Sequence, residues 1–192
     1  MSAPGLKLAC ALMLTLTAAC STGLGKLPET AGADAAELRL GSGDELRVVV
    51  PGLSGTDAAA NTAYVVNDRG EISLPVVGAV RASGLTLSEL ERAIASKLVD
   101  GEYLVSPSVS VQPVKLRPVY VTGEVRNPGE YQYRPGMAVL AAVSAAGGYT
   151  YRAVQGKVAI TRVVGGRATT TRATNASWVL PGDTIVVYEK WF

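Results

Sequence analysis

One stretch constrains the fold more than any other: residues 86–101 carry a complete helix signal, and the segments on either side carry strand signals. Thr86 and Glu89 have capping-box spacing, in which each side chain accepts from the other residue's otherwise unpartnered amide. Leu87, Leu90, Ile94 and Leu98 recur at helical spacing on one face, while Glu91, Arg92 and Lys97 face away. Asp100-Gly101 is the expected stop. A helix with a single apolar stripe must cover a sheet or another helix, and the neighbouring segments offer sheet. The expected class is therefore α+β, and the many Val, Thr and Gly residues agree with it.

The strands group into two units. In the first, the turn Gly41-Ser42-Gly43-Asp44 feeds a strand over 45–50. Strands over 64–67 and 71–75 flank Asp68-Arg69-Gly70 and predict a tight hairpin. Short strands over 78–81 and 108–114 complete this unit, with Val109 and Val111 alternating on one face. The second unit begins near Arg117, where Val119 and Val121 alternate into Gly123-Glu124-Val125. Asn127-Pro128-Gly129-Glu130 has the Pro-Gly order of a type II turn. Tyr131 and Tyr133 then return on one strand face. An Ala-rich helix over 137–146 offers Val139, Leu140 and Val143 as its buried stripe and ends on Gly147-Gly148. Strands follow over 157–164, 167–174 (across Gly165-Gly166) and 184–189, the last entered through Pro181-Gly182-Asp183. A hairpin, a crossing helix and a return to sheet describe a β-grasp-like domain. Gly43-Asp44 and Gly182-Asp183 share a turn-then-strand pattern, which ordinary Gly-Asp turn chemistry explains without a repeat.

The N-terminus reads differently. Lys7 precedes an apolar run over 8–16 and the small residues Thr17-Ala18-Ala19, which end at Cys20. That order is a secretory signal, too short for a membrane-spanning helix. LTAAC resembles the lipobox of bacterial lipoproteins, with Thr17 where Leu is usual at position −3. The resemblance implies a signal peptide over 1–19 and lipid attachment at Cys20, which becomes the mature N-terminus. Cys10 lies in the removed segment, so no disulfide within the mature chain is expected. A small, polar tether covers 20–37. Eighteen Lys and Arg face sixteen Asp and Glu, and no Lys/Arg block forms a basic patch, so no nucleic-acid partner is expected.

The ordered whole resembles the outer-membrane polysaccharide export (OPX, Wza-type) family. GDELRVVV, YVVNDRGEISLPVVGAVRASGLTLSELERAIASKL and YLVSPSVSVQ are similar to its export domain, placed at 38–115. VYVTGEVRNPGEYQY, VLAAVSAAGGYT and PGDTIVVYEKWF are similar to its soluble-ligand-binding β-grasp (SLBB) domain, placed at 116–192. The resemblance implies a periplasm-facing, outer-membrane-anchored homo-oligomeric ring that conducts a capsular or exopolysaccharide chain. It implies an inner-membrane polysaccharide co-polymerase as partner and no cofactor. The sequence stops at Trp191-Phe192 without the amphipathic C-terminal helix of longer members, so the expected crossing route is a separate outer-membrane β-barrel. The alternative is a glycan-binding or scaffolding envelope lipoprotein that forms no conduit.

The chain has no histidine, which removes Ser-His-Asp chemistry and the commonest metal ligand, and no metal site is expected. Asp44 with Glu71, or Asp68 with Glu124, are the conceivable carboxylate pairs. Turn chemistry accounts for both aspartates and solvent-facing strand positions for both glutamates, so no catalytic residue is expected. Tyr131, Tyr133, Tyr149 and Tyr151 could stack on sugars, with packing the favoured role. Arg126, Arg134 and Arg152 could meet an acidic polymer, with solvated loops the favoured setting. Asn175-Ala176-Ser177 fits a glycosylation sequon without consequence in a bacterial lipoprotein. Trp178, Trp191 and Phe192 read as packing or docking residues. Polymer-contacting residues cannot be assigned to single positions, because a lumen is a property of oligomer geometry.

Overall fold

The computed structural model describes residues 27–29, 37–52 and 63–190. The signal sequence, Cys20, most of the tether, Trp191 and Phe192 lie outside the described residues.

The first unit is built around β1 (Glu45–Val49), the centre of an antiparallel sheet of order β2-β1-β5 with β2 at Ala63–Val65 and β5 at Ser110–Lys115. Leu46 and Val48 point into the core, and the residues between them are half-buried. Helix α1 (Leu87–Asp100) lies against β5 and against β4 (Gly78–Arg81). Its stripe is the expected one: Leu90, Ile94 and Leu98 are fully buried and Leu87 packs at the margin. Each of the three buried side chains contributes roughly 2 kcal/mol by leaving water. Glu91 and Lys97 instead bind the strands. The Val111 amide donates to Glu91 Oε1 (2.8 Å), and Lys97 Nζ donates to the Ala79 carbonyl.

The capping box at the start of α1 is complete. Glu89 N donates to Thr86 Oγ1 (3.2 Å) and Thr86 N to Glu89 Oε2 (2.8 Å). Thr86→Ala is expected to cost about 1 kcal/mol, read as a lowered denaturation midpoint. The Thr86 amide, with Arg39 nearby, holds the Glu89 carboxyl below its ordinary range. A depressed carboxyl pKa stabilises above the unfolded value, about 4.3. The stability lost in Glu89→Gln should therefore be full at neutral pH and vanish as pH falls through the folded-state pKa.

One local expectation fails here. The predicted hairpin over 64–75 does not form: β2 pairs with β1, and β3 (Glu71–Leu74) pairs with β4. The turn itself exists. Asn67 Oδ1 accepts from the amides of Arg69 and Glu71, and Gly70 takes φ 78°. The Gly70 carbonyl then accepts from Ala82 and Ser83, which commits β3 to β4. At its other end α1 stops at Asp100-Gly101 as expected, with Gly101 at φ −87° and Glu102 in the left-handed conformation (φ 56°). Gly101 is needed for space, since a Cβ there would lie 2.5 Å from the Tyr103 ring.

The second unit is a five-stranded sheet of order β7-β6-β10-β8-β9, made of Gly129–Tyr131, Val119–Gly123, Thr184–Val187, Lys157–Val164 and Arg167–Thr174. Only β6 and β10 run parallel. Helix α2 (Val139–Ala145) covers one face, burying Val139, Ala142 and Val143 in a core with Val121, Ile160 and Ile185. Leu140, expected inside, is 49% exposed. The stripe runs i, i+3, i+4, i+7 from Val139, and Leu140 lies a third of a turn off it. Gly147 and Gly148 close the helix in left-handed conformations, as expected.

The predicted type II turn is also absent: Gly129 belongs to β7, and the left-handed residue is Gly123 (φ 85°), where β6 ends. The opposite face of the sheet carries one register row, Glu130-Tyr120-Thr184-Thr161-Thr170, in which the last two hydroxyls are 2.8 Å apart. At the β9 edge the chain just after the N-terminal segment is bound: Arg172 N donates to the Pro28 carbonyl (2.7 Å), and the Arg172 guanidinium pairs with Glu29. Among the described residues no helix is long and apolar enough to cross a membrane.

Candidate functional site at the junction of the two units

The two cores meet between Leu116 and Val119, and Tyr133 packs against both. Two buried aspartates, Asp44 and Asp183, flank this junction, each at the end of a Gly-Asp turn. The two turns use the same device. Asp44 Oδ2 accepts from Gly41 N (2.8 Å) and Asp183 Oδ2 from Leu180 N (2.7 Å), each three residues back. Gly43 and Gly182 adopt φ 91° and 87°. Gly43 N donates to Val66 O and Gly182 N to Pro118 O, tying each turn to a neighbouring strand.

Each aspartate also holds an arginine. Arg162 on β8 binds Asp183 with two bonds (2.8 and 2.7 Å), and this carboxylate raises the guanidinium pKa further. Arg117, between the units, gives both its amide (2.8 Å) and its Nε (3.2 Å) to Asp44 Oδ1, and its Nη2 reaches the Arg39 carbonyl. Its guanidinium passes between the two turns: a Cβ on Gly41 would come within 2.5 Å of it, and one on Gly182 within 3.3 Å. The Arg162–Asp183 pair is bidentate and charge-assisted, the strong kind, whereas Arg117 places one side-chain and one main-chain bond on a single oxygen of a desolvated carboxylate. Arg117 is a clasp.

Clefts open on both sides of the clasp. One, of about 640 Å³, takes Tyr120, Glu130 and Gln132 from the second unit, Ser42 and Lys115 from the first, and Arg117 between them. The other, of about 490 Å³, includes Arg39, Arg81, Arg117, Arg162 and the Gly165-Gly166 turn. Its guanidiniums are largely engaged, Arg39 with Glu37 and Glu89, Arg117 with Asp44, Arg162 with Asp183.

The residues singled out from sequence mostly serve structure. Asp44 is consumed by the clasp, and Asp68 accepts from Ser42 Oγ. Glu124 accepts from Thr150 Oγ1, and no hydrogen bond connects either carboxylate pair. Tyr131 and Tyr149 donate to Asn127 O and Asn175 Oδ1, which gives the sequon asparagine its use. Burial pushes the Tyr133 and Tyr149 hydroxyls up, so both stay neutral phenols. Tyr151 is 85% exposed. Arg152 pairs with Glu189, and Arg126 packs its stem near Gly147. Arg134 lines a shallow hollow beside α2 with Tyr131 and Met137. Trp178 bridges to Ala138, next to α2. Sequence reasoning missed Arg117, Arg162 and Tyr120. Only Tyr120 left a signal: it alternates with core-facing Val119 and Val121, so it must face the other way.

The two buried aspartates are thus held by main-chain amides and arginines, and charged side chains line both junction clefts. Residues 32–113 match the family described as "Polysaccharide biosynthesis/export protein", and residues 118–172 match the SLBB domain. The Exopolysaccharide production protein ExoF of Rhizobium meliloti (strain 1021) is 43% identical over 123 residues, 60% of this chain and 29% of that protein. The Polysialic acid transport protein KpsD of Escherichia coli is 36% identical over 96 residues, 48% of this chain and 16% of that protein. The chain thus spans less than a third of the curated relatives it matches. It belongs to the OPX-type polysaccharide export proteins and carries an export domain followed by an SLBB domain.

Proposed function

We propose that this chain is a subunit of a polysaccharide export channel, a ring of copies lipid-anchored through Cys20 to the outer membrane and facing the periplasm. The export domain takes 38–115 and the SLBB domain 116–192. The working partners are the polysaccharide itself, an inner-membrane polysaccharide co-polymerase and a separate outer-membrane β-barrel. The observation that carries this reading is the ordered pairing of an export and an SLBB match on two units clasped by Arg117. A ring subunit must hold a fixed angle between its parts for the ring to close.

Two measurements test it. Detergent-solubilised protein should form rings by electron microscopy, and a deletion strain should lose surface or secreted polysaccharide. Strictly monomeric protein at all concentrations would favour the scaffolding alternative, and normal secretion in the deletion strain would end both readings. For the anchor, Cys20→Ser should abolish acyl labelling and leave an uncleaved or soluble species. Unchanged membrane retention of that variant, with no lipid on the wild type, would remove Cys20 from the proposal.

A further inference from the structure

The larger junction cleft holds an aromatic face and unspent polar groups side by side. Tyr120 is anchored by its strand, since Val119 and Val121 on either side are buried, yet the residue itself is 43% exposed. It stands directly opposite Glu130 in the β6–β7 register, and both line the cleft with Gln132. Lys115 and Ser42 line the far wall. Among the described residues, the side chains of Lys115, Glu130 and Gln132 have no hydrogen-bond or ion-pair partner. A rigid aromatic ring flanked by free donors and acceptors has the composition that sugar rings require. Apolar C–H faces lie on the aromatic, and ring hydroxyls bind the amide, carboxylate and ammonium.

We infer that this cleft binds a short segment of a neutral, hydroxyl-rich glycan, with one pyranose ring stacked on Tyr120 and its neighbours' hydroxyls held by Glu130, Gln132 and Lys115. This inference rests on the export reading for its choice of saccharide. The volume, about 640 Å³, falls in the range of small-molecule sites and has room for more than one ring. Charge selects the class. Arg117 is already spent on Asp44, which leaves one free cation, Lys115, facing one free anion, Glu130, among the described lining residues. A polyanion would set its carboxylates against Glu130 without a net positive field to compensate. Weak binding suits the role, because a conducted polymer must leave as readily as it enters. With the cleft open to solvent, a Kd on the order of 1 mM is expected.

The test uses purified full-length protein in detergent and saturation-transfer NMR with maltohexaose and cellohexaose, against hexagalacturonate as the polyanion. At least one neutral hexamer should bind and hexagalacturonate should not. Tyr120→Ala should weaken binding about tenfold or more, while Tyr120→Phe, which keeps the ring, should stay within about threefold. Tyr151→Ala, an exposed tyrosine outside the cleft, should change nothing. Thermal melting of each variant checks that Tyr120→Ala is folded. Binding unaffected by Tyr120→Ala, preference for the polyanion, or no binding of either neutral hexamer at millimolar concentration would overturn the inference. Export in complemented deletion cells is read separately. A Tyr120→Ala strain that forms rings and exports normally, with NMR binding lost, leaves the cleft real and removes it from transport. A deletion without an export defect defeats the channel reading and leaves the NMR result standing.

Discussion

Arg117→Ala is expected to destabilise the protein by about 3 kcal/mol and to let the two units move apart. The loss has two sources. Asp44 is fully buried, and removing one partner of a buried ion pair leaves a desolvated charge, typically costing about 3–5 kcal/mol. The low end applies here because Arg117 is 28% exposed and Asp44 keeps bonds from the amides of Gly41 and residue 117. For a chain of this size the melting temperature should fall by roughly 6–12 °C. Arg162→Ala is the control. It strips Asp183 of two bonds within the second unit, so it should cost a similar amount without freeing the junction. Limited proteolysis separates the two, since only the Arg117 variant should gain cleavage near residues 115–118. An Arg117→Ala protein that melts with wild type would show that the clasp is ornamental.

The second large effect is expected from a smaller change. Gly123→Ala should cost more than about 3 kcal/mol and abolish the folded second unit in most of the population at moderate denaturant. Gly123 has φ 85°, and a Cβ there would stand 2.1 Å from the Val187 carbonyl oxygen and 3.0 Å from its carbon. That carbonyl is main chain, and it accepts from the Glu124 amide where β6 and β10 run parallel, so it cannot swing away. Gly156→Ala isolates the conformational part. Its φ is 84°, but nothing lies within 4 Å, so it should cost only about 1–2 kcal/mol. Equal denaturation midpoints for the two variants would contradict the steric argument.

What could be read from sequence was what local rules decide. The Thr86–Glu89 box, the Leu90-Ile94-Leu98 stripe and the Gly165-Gly166 hairpin each depend on residues within a few positions, and each formed. The failures were non-local or competitive. The Asp68-Arg69-Gly70 turn is real, but whether its strands pair depends on Ala82 and Ser83, which claim the Gly70 carbonyl from a dozen residues away. Gly129 looked like the left-handed glycine because it follows proline, whereas Gly123 holds that role for want of space beside β10. The junction was the least legible part. Two Gly-Asp turns 139 residues apart were visible as a shared pattern, yet only the fold shows an arginine threaded between them. Asp44 looked like a turn residue and is one; that it also holds Arg117 has no signature at either position.

The attachment of Pro28 and Glu29 to the β9 edge bears on how the protein sits in the envelope. Cys20 is eight residues before Pro28, and a fully extended chain of that length reaches no more than about 28 Å. If the lipid is on Cys20, the effective leash ends at Arg172 rather than at the export domain, and everything after it hangs from that edge. The bilayer would then feel the SLBB sheet first. A pull on the export domain would reach that edge along the main chain at 116–118, where the Arg117–Asp44 pair resists the two units turning against each other.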